Sequence, residues 1–145
     1  MSGCGFQPLY GHIATSHSSL KELSLIRIAP IDNRIGQKLR NFLQDHVTPL
    51  GKPSNPSYEL IVKINKVRND LVLLQDATST FAKITLNAAY NLRNLATGRT
   101  LTSGNVTAKT GFTITESEYA NIQAETGTTS RAARELSYDI ARRLA

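Results

Sequence analysis

Tryptophan is absent from this chain, and cysteine occurs once, at Cys4. A lone thiol closes no intrachain disulfide and builds none of the zinc clusters that need several cysteines. Aromatic residues are sparse, at 5 Tyr and 4 Phe. No apolar run reaches the roughly 18 residues that a membrane-spanning helix requires. The three histidines, His12, His17 and His46, have no partners at metal-ligand spacing. No G-x-S-x-G elbow, S-x-x-K pattern or phosphate-cradling P-loop is present, and Gly3-Cys4-Gly5 follows no strand, so it is no dinucleotide fingerprint. Acids are thinly spread: Asp32 reads as a helix cap, and Asp139 as a partner for Arg143 one turn on. The expectation is a protein that is not an enzyme and uses no metal and no cofactor.

What is present is ordinary globular material. The 145 residues are 40% hydrophobic, enough for one core and too apolar for a disordered chain. Lys and Arg number 17 against 11 acids, a net charge of +6. Such a surplus suits a polyanionic partner without selecting among nucleic acid, anionic lipid and acidic protein.

The chain opens Met1-Ser2-Gly3-Cys4-Gly5-Phe6. Two small residues before a cysteine form the right-hand part of a bacterial lipobox, where narrow side chains admit the processing enzymes and the thiol carries the diacylglyceryl group. The charged, apolar signal peptide that ordinarily precedes such a cysteine is not in the chain, and Met1 is read as a start just inside it. Residues 1–19, ending in the serine-rich Ser16–Ser19, are read as lipid-anchor remnant and tether. Residues 20–145 are read as a single α/β domain.

Within that domain the periodicity changes in order. Leu20 to Ile31 reads as a strand closed by Pro30. A helix capped by Asp32 or Asn33 follows, with Ile35, Leu39, Phe42, Leu43 and Val47 on one face, and Thr48-Pro49 stops it. Tyr58, Leu60, Val62 and Ile64 alternate with polar residues in a second strand. A third, from about Thr78 to Leu95, keeps the parity through Ala82, Ile84, Leu86, Ala88, Tyr90 and Leu92. Ala96-Thr97-Gly98-Arg99 turns the chain into a fourth strand, Thr100 to Thr115, in which Gly104 reads as a bulge. Glu118 to Ala145 is helical, striped by Ala133, Leu136, Ile140 and Leu144, with Gly127 as a break and Ser130 as a second cap. The order β-α-β-β-β-α predicts an α+β two-layer sandwich, a four-stranded mixed sheet with both helices on one face.

The basic residues then sort by parity. Lys63 on strand two, with Lys83 and Arg93 on strand three, alternate against the buried positions and are expected on the uncovered face. Lys66 and Arg68 flank the segment Leu71, Val72, Leu73, Leu74. That segment reads either as an exposed apolar tip for a partner or acyl chain, or as an extension of the strand pair packed on the core. Arg131, Arg134, Arg142 and Arg143 are assigned to the solvent face and negative end of the last helix.

Several blocks together resemble the LPS-assembly lipoproteins of the LptE family. They are Cys4-Gly5-Phe6-Gln7-Pro8-Leu9-Tyr10-Gly11, then Ile28-Ala29-Pro30-Ile31 with Arg34, Gln37, Leu39 and Arg40. Tyr58-Glu59-Leu60, Ala88-Ala89-Tyr90-Asn91-Leu92 and the alanine-rich final helix continue the likeness. The resemblance implies an outer-membrane lipoprotein on the periplasmic side, acylated (palmitate among its lipids) at Cys4. It implies a plug and assembly partner of the large β-barrel LptD, one that binds lipopolysaccharide without catalysis. Lys63, Lys66, Arg68, Lys83 and Arg93 are the candidates for lipopolysaccharide contact, a choice made from geometry and not carried over from the family. Leu71 to Leu74 are the candidates for barrel or acyl contact. One rival reading is an envelope lipoprotein adaptor for a periplasmic enzyme or transporter. Another is a basic nucleic-acid-binding module, against which stand the lipobox remnant and the buried parity of Tyr58 and Tyr90.

Overall fold

The computed structural model describes residues 21–72 and 80–144. Its elements run β1 (Ile26–Ile28), α1 (Asn33–Val47), β2 (Tyr58–Val72), β3 (Thr80–Asn94), β4 (Thr100–Ile114) and α2 (Glu118–Leu144). The strands lie in sequence order, β1 parallel to β2 and the rest antiparallel. This is the α+β sandwich the periodicity predicts. Both helices cover one face, where Leu39, Leu43, Leu60, Ile84, Leu86, Leu136 and Ile140 are wholly buried.

The first strand is much shorter than its apolar run. Residues 21–23 form a helical turn, and only Ile26–Ile28 pair, against Tyr58–Leu60. Beyond them Ala29 N–H donates to Leu60 O at 3.0 Å, and Pro30, lacking an N–H, ends the ladder. Ile26 and Ile28 turn into the core while Arg27 faces out.

Helix α1 is capped by the second of its two candidates. The Asp32 side chain makes no cap bond, whereas Asn33 Oδ1 accepts the Gly36 N–H at 2.9 Å. Asn33 sits at φ 65°, a left-handed conformation that asparagine tolerates better than most residues. Asn33→Ala is therefore expected to cost about 1–2 kcal/mol, losing the cap and putting at positive φ a residue that tolerates it less well than asparagine. Asn33→Gly should cost less, since glycine adopts that φ freely. Urea unfolding of the two variants checks the order.

Gly104 is not a bulge. It pairs opposite Tyr90, and a Cβ there would lie 2.8 Å from the Tyr90 hydroxyl, so the glycine makes room for a buried ring. The register shifts instead between Leu92 and Arg93, which pair with Thr102 and Thr100 and leave Leu101 as the extra residue. Helix α2 does not break at Gly127, and Ser130 caps nothing: the helix is continuous over 27 residues. Glycine there costs about 1 kcal/mol of propensity against alanine, less than the next two turns regain by burying Thr128, Ala132, Ala133 and Leu136. Its start is fastened by Ser117 Oγ, which accepts the Ala120 N–H. The Asn121 amide completes the junction, bonding both the N–H and C=O of Thr115 at 2.8 Å.

Strand β2 does not stop before the apolar segment. It continues through Leu71 and Val72, which pair with Phe81 and Thr80. These two residues are strand and not loop, yet they remain 46% and 64% exposed, because the hairpin outruns the core. Leu73 and Leu74 lie outside the described residues, as do Cys4 and the N-terminal tether.

Candidate functional site

Three strands of 15 residues leave one face of the sheet without a helix above it. Strict alternation decides what that face carries. The odd-numbered residues of β2 and β3 point away from the helices, and β4 contributes their register partners. Arg27 joins them from β1, flanked by the buried Ile26 and Ile28.

Charge on this face is one-sided. Among the described residues Arg27, Lys63, Lys83, Arg93 and Lys109 are its cations, and Glu59 is its single acid. Glu59 lies beside Arg27 in the β1–β2 register and beside Arg93 in the β2–β3 register, so both guanidiniums converge on it. Arg27 reaches Oε1 at 2.7 Å and Arg93 reaches Oε2 at 2.5 Å. The hydrogen bond from Arg27, then that from Arg93, hold the carboxyl below its ordinary value despite its burial. Its side chain is only 10% exposed, while the two arginines are 53% and 44% exposed. The trio therefore keeps one unit of positive charge and unused guanidinium donors at the surface.

Lys63, Lys83 and Lys109 extend this charge along the sheet. Lys63 stands opposite Ala89, Lys83 between Asn69 and Gly111, and Lys109 opposite Thr85. None of the three has an acidic partner within ion-pair distance among the described residues. A shallow depression lined by Ile61, Lys63, Ala89, Asn91, Ser103 and Asn105 lies between them and the arginines. In it the buried Asn91 Oδ1 has no hydrogen-bond partner. The surface thus offers ammonium and guanidinium donors, amides and hydroxyls in rows, which suits a ligand bearing several phosphates or carboxylates.

Lys66 and Arg68 stand on the other side. Their even numbering turns them toward the helices, where Lys66 Nζ and Arg68 Nη1 each meet a Glu125 carboxylate oxygen at 2.5 Å. Arg68 also bonds Asp70 at 2.9 Å and stacks 5.7 Å from the Phe112 ring centroid. Lys66 foremost, with Arg68, holds the Glu125 carboxyl below its ordinary value. These two cations fasten α2 to β2 and do not share a surface with Lys63, Lys83 and Arg93. Lys109 and Arg27 were the members missed by sequence reasoning. The signal was available, because each adjoins a buried apolar residue, Ala108 or Ile28, and so must face the other way. Leu71 projects on the open face beside Phe81, and Val72 on the helix side.

Among the described residues no helix is long and apolar enough to cross a membrane, and no group of three His, Cys, Asp or Glu could hold a metal ion. No curated protein matches the chain at a significant level. Solved structures do share its fold. A lipoprotein of Caulobacter crescentus superposes with a TM-score of 0.73 at 21% identity, covering 88% of this chain and 93% of its own. A minor lipoprotein of Acinetobacter baumannii gives 0.62 at 14% identity, over 82% of this chain and 88% of its own. Rare lipoprotein B of Shewanella oneidensis gives 0.52 at 10% identity, over 82% and 89%. At these identities the likeness establishes the architecture alone. The sequence carries the assignment further, because the model of the LptE lipopolysaccharide-assembly family matches residues 21–144, from the first helical turn to the end of α2. The chain belongs to the LptE family of lipopolysaccharide-assembly lipoproteins.

Proposed function

We propose that the uncovered sheet face receives the phosphates of lipopolysaccharide, and that the protein acts without catalysis as plug and assembly partner of a large LptD-type β-barrel. A covalent lipid on Cys4 holds it to the periplasmic side of the outer membrane. The observation that carries the reading is the five cations against one buried carboxylate on a face that no helix covers. Lipid A phosphates are multivalent and spaced along an amphiphile, so a row of separate ammonium groups matches them better than a single deep pocket would. The polar floor of asparagine and serine adds hydrogen bonds to sugar hydroxyls, and membership of a lipopolysaccharide-assembly family supports the substrate class.

Charge reversal at Lys63, Lys83 and Lys109 tests this. Each exposed contact is worth about 0.2–1 kcal/mol, so the triple Glu variant is expected to bind lipopolysaccharide about tenfold more weakly at low salt. Its unfolding midpoint should stay near that of the parent, since none of the three holds a structural ion pair among the described residues. The same variant, isolated from outer membranes, should still bring down the β-barrel if plug and ligand surfaces are separate. Binding of lipopolysaccharide at parental affinity would remove the face from the mechanism. Isolation of the parent without a β-barrel would remove the partner.

A further inference from the structure

The strand and helix directions gather a second set of cations at one end of the molecule. β1, β2 and β4 begin there, β3 ends there, and both helices finish there, α2 running back from the far end of the sheet and α1 from beside the middle of β2. Backbone bonds stitch this end together: Ser57 N–H to Leu25 O and Leu95 N–H to Ser57 O, both at 3.0 Å. Leu23, Ile26, Tyr58, Leu101 and Leu144 line one small cavity beneath it. Lys21, Lys52, Arg99, Arg142 and Arg143 are exposed around it. Glu22, Asp45, Glu59 and Asp139 are the acids nearby, Glu59 already held by Arg27 and Arg93 and Asp139 by Arg142 at 2.9 Å. The opposite end, where α2 begins, exposes Glu116 and Glu118 instead.

Apolar side chains protrude among these cations. Leu50 is 100% exposed on the loop after α1, two residues before Lys52, and Leu101, the extra residue of the β4 bulge, is 53% exposed. Leu25 adds a third edge at 37%. Helix C-termini account for Arg142 and Arg143 through their dipoles, but they account for neither Lys52 and Arg99 nor the leucines. A leucine at a loop apex, ringed by Lys and Arg, is the arrangement that enters the boundary between lipid headgroups and acyl chains while the cations meet phosphates.

We infer that this end of the molecule seats on an anionic phospholipid surface, with Leu50 and Leu101 entering the interface and Lys52, Arg99 and Arg143 binding headgroup phosphates. The described chain also enters the fold here, at Lys21, 17 residues after Cys4. Those residues span at most about 60 Å when fully extended. A lipid on Cys4 would therefore keep a bilayer within reach of this end; in that respect alone the inference rests on the proposed function. Seating would fix the orientation of the open sheet face relative to the membrane, which a lipid on Cys4 alone would not.

The test uses the 145-residue chain without acylation, so that the lipid on Cys4 plays no part. Flotation with phosphatidylglycerol–phosphatidylethanolamine vesicles at low salt should carry the protein upward, and phosphatidylcholine vesicles should not. The Lys52→Glu, Arg99→Glu, Arg143→Glu variant should bind the anionic vesicles about tenfold more weakly. Leu50→Ser should bind several-fold more weakly, while the open-face variant with Lys63, Lys83 and Lys109 reversed binds as the parent does. All four end positions are exposed, and circular dichroism melts should match throughout. Failure of the parent to float, or an end variant that floats as well as the parent, overturns the inference. So does an open-face variant that loses as much as the end variant. Lipopolysaccharide binding measured on the same proteins keeps the two readings apart. It should fall only in the open-face variant, and it can hold when vesicle binding fails, or fail when vesicle binding holds.

Discussion

Leu136→Ala is expected to lower the free energy of unfolding by about 2–5 kcal/mol, measured by urea titration. Leu136 has no exposed surface. It lies on the inner stripe of α2 with Ala132, Ala133 and Ile140, the face that packs on α1, β3 and β4. Truncation there removes buried methyl groups and leaves a cavity between a helix and a sheet whose close-packed walls relax only in part. A domain of this size is stable by about 5–15 kcal/mol, so the variant should lose a large share of its margin. Ile122→Ala on the same helix is the control. Ile122 is 55% exposed, and its loss should stay within about 0.5 kcal/mol. Equal effects at the two positions would mean that α2 is not anchored through the stripe assigned to it.

That stripe could be read from the sequence, as could the alternation of β3 and the amphipathic spacing of α1, because burial on one face forces a period that composition cannot hide. What resisted reading was set by contacts distant in the chain. Leu23, Leu25, Ile26 and Ile28 look like one strand, but where pairing stops depends on the three residues of β2 that face it, Tyr58, Glu59 and Leu60. Gly104 and Gly127 read as local interruptions, yet a cross-strand tyrosine and a helix packed along its length decide both. The candidate site divided in the same way. Parity correctly put Lys63, Lys83 and Arg93 on the outward face, and the same rule applied two residues further would have turned Lys66 and Arg68 inward. They were grouped with the others as flanks of the Leu71 to Leu74 segment, and of its two readings, exposed tip or extension of the strand pair, Leu71 and Val72 take the second as far as pairing goes. Lys109 was legible from its position beside Ala108 on β4. The arginine pair on Glu59 was not, since it needs the register of three strands at once.

The two acidic tie points should make the protein acid-sensitive in a way that two substitutions remove. Glu59 is held by Arg27 and Arg93, and Glu125 by Lys66 and Arg68, and both carboxyls lie below their ordinary value of 4.5. Around and below that value the unfolded chain binds more protons at these groups than the folded chain does. Stability from the two clusters is therefore fully present above 4.5 and is lost as the pH falls through the depressed folded values. Glu59→Gln keeps the shape but leaves two guanidiniums without a counter-charge, at a cost of about 1–2 kcal/mol near neutral pH. Glu125→Gln should cost about 1 kcal/mol, since the Glu125 carboxylate is itself more open to water than that of Glu59, 24% against 10%, and better screened. The double variant is expected to run below the parent at neutral pH and to converge on it as acid protonates the parental carboxylates. Urea titrations from about pH 7 to about pH 3 would show the gap closing. Parallel curves over that range would mean that neither carboxylate is stabilised in its charged form by folding. The outcome bears on function as well, because Glu59 organises the arginine end of the open face. Loss of its charge frees Arg27 and Arg93 from their shared acceptor and adds one unit to the positive charge of that surface.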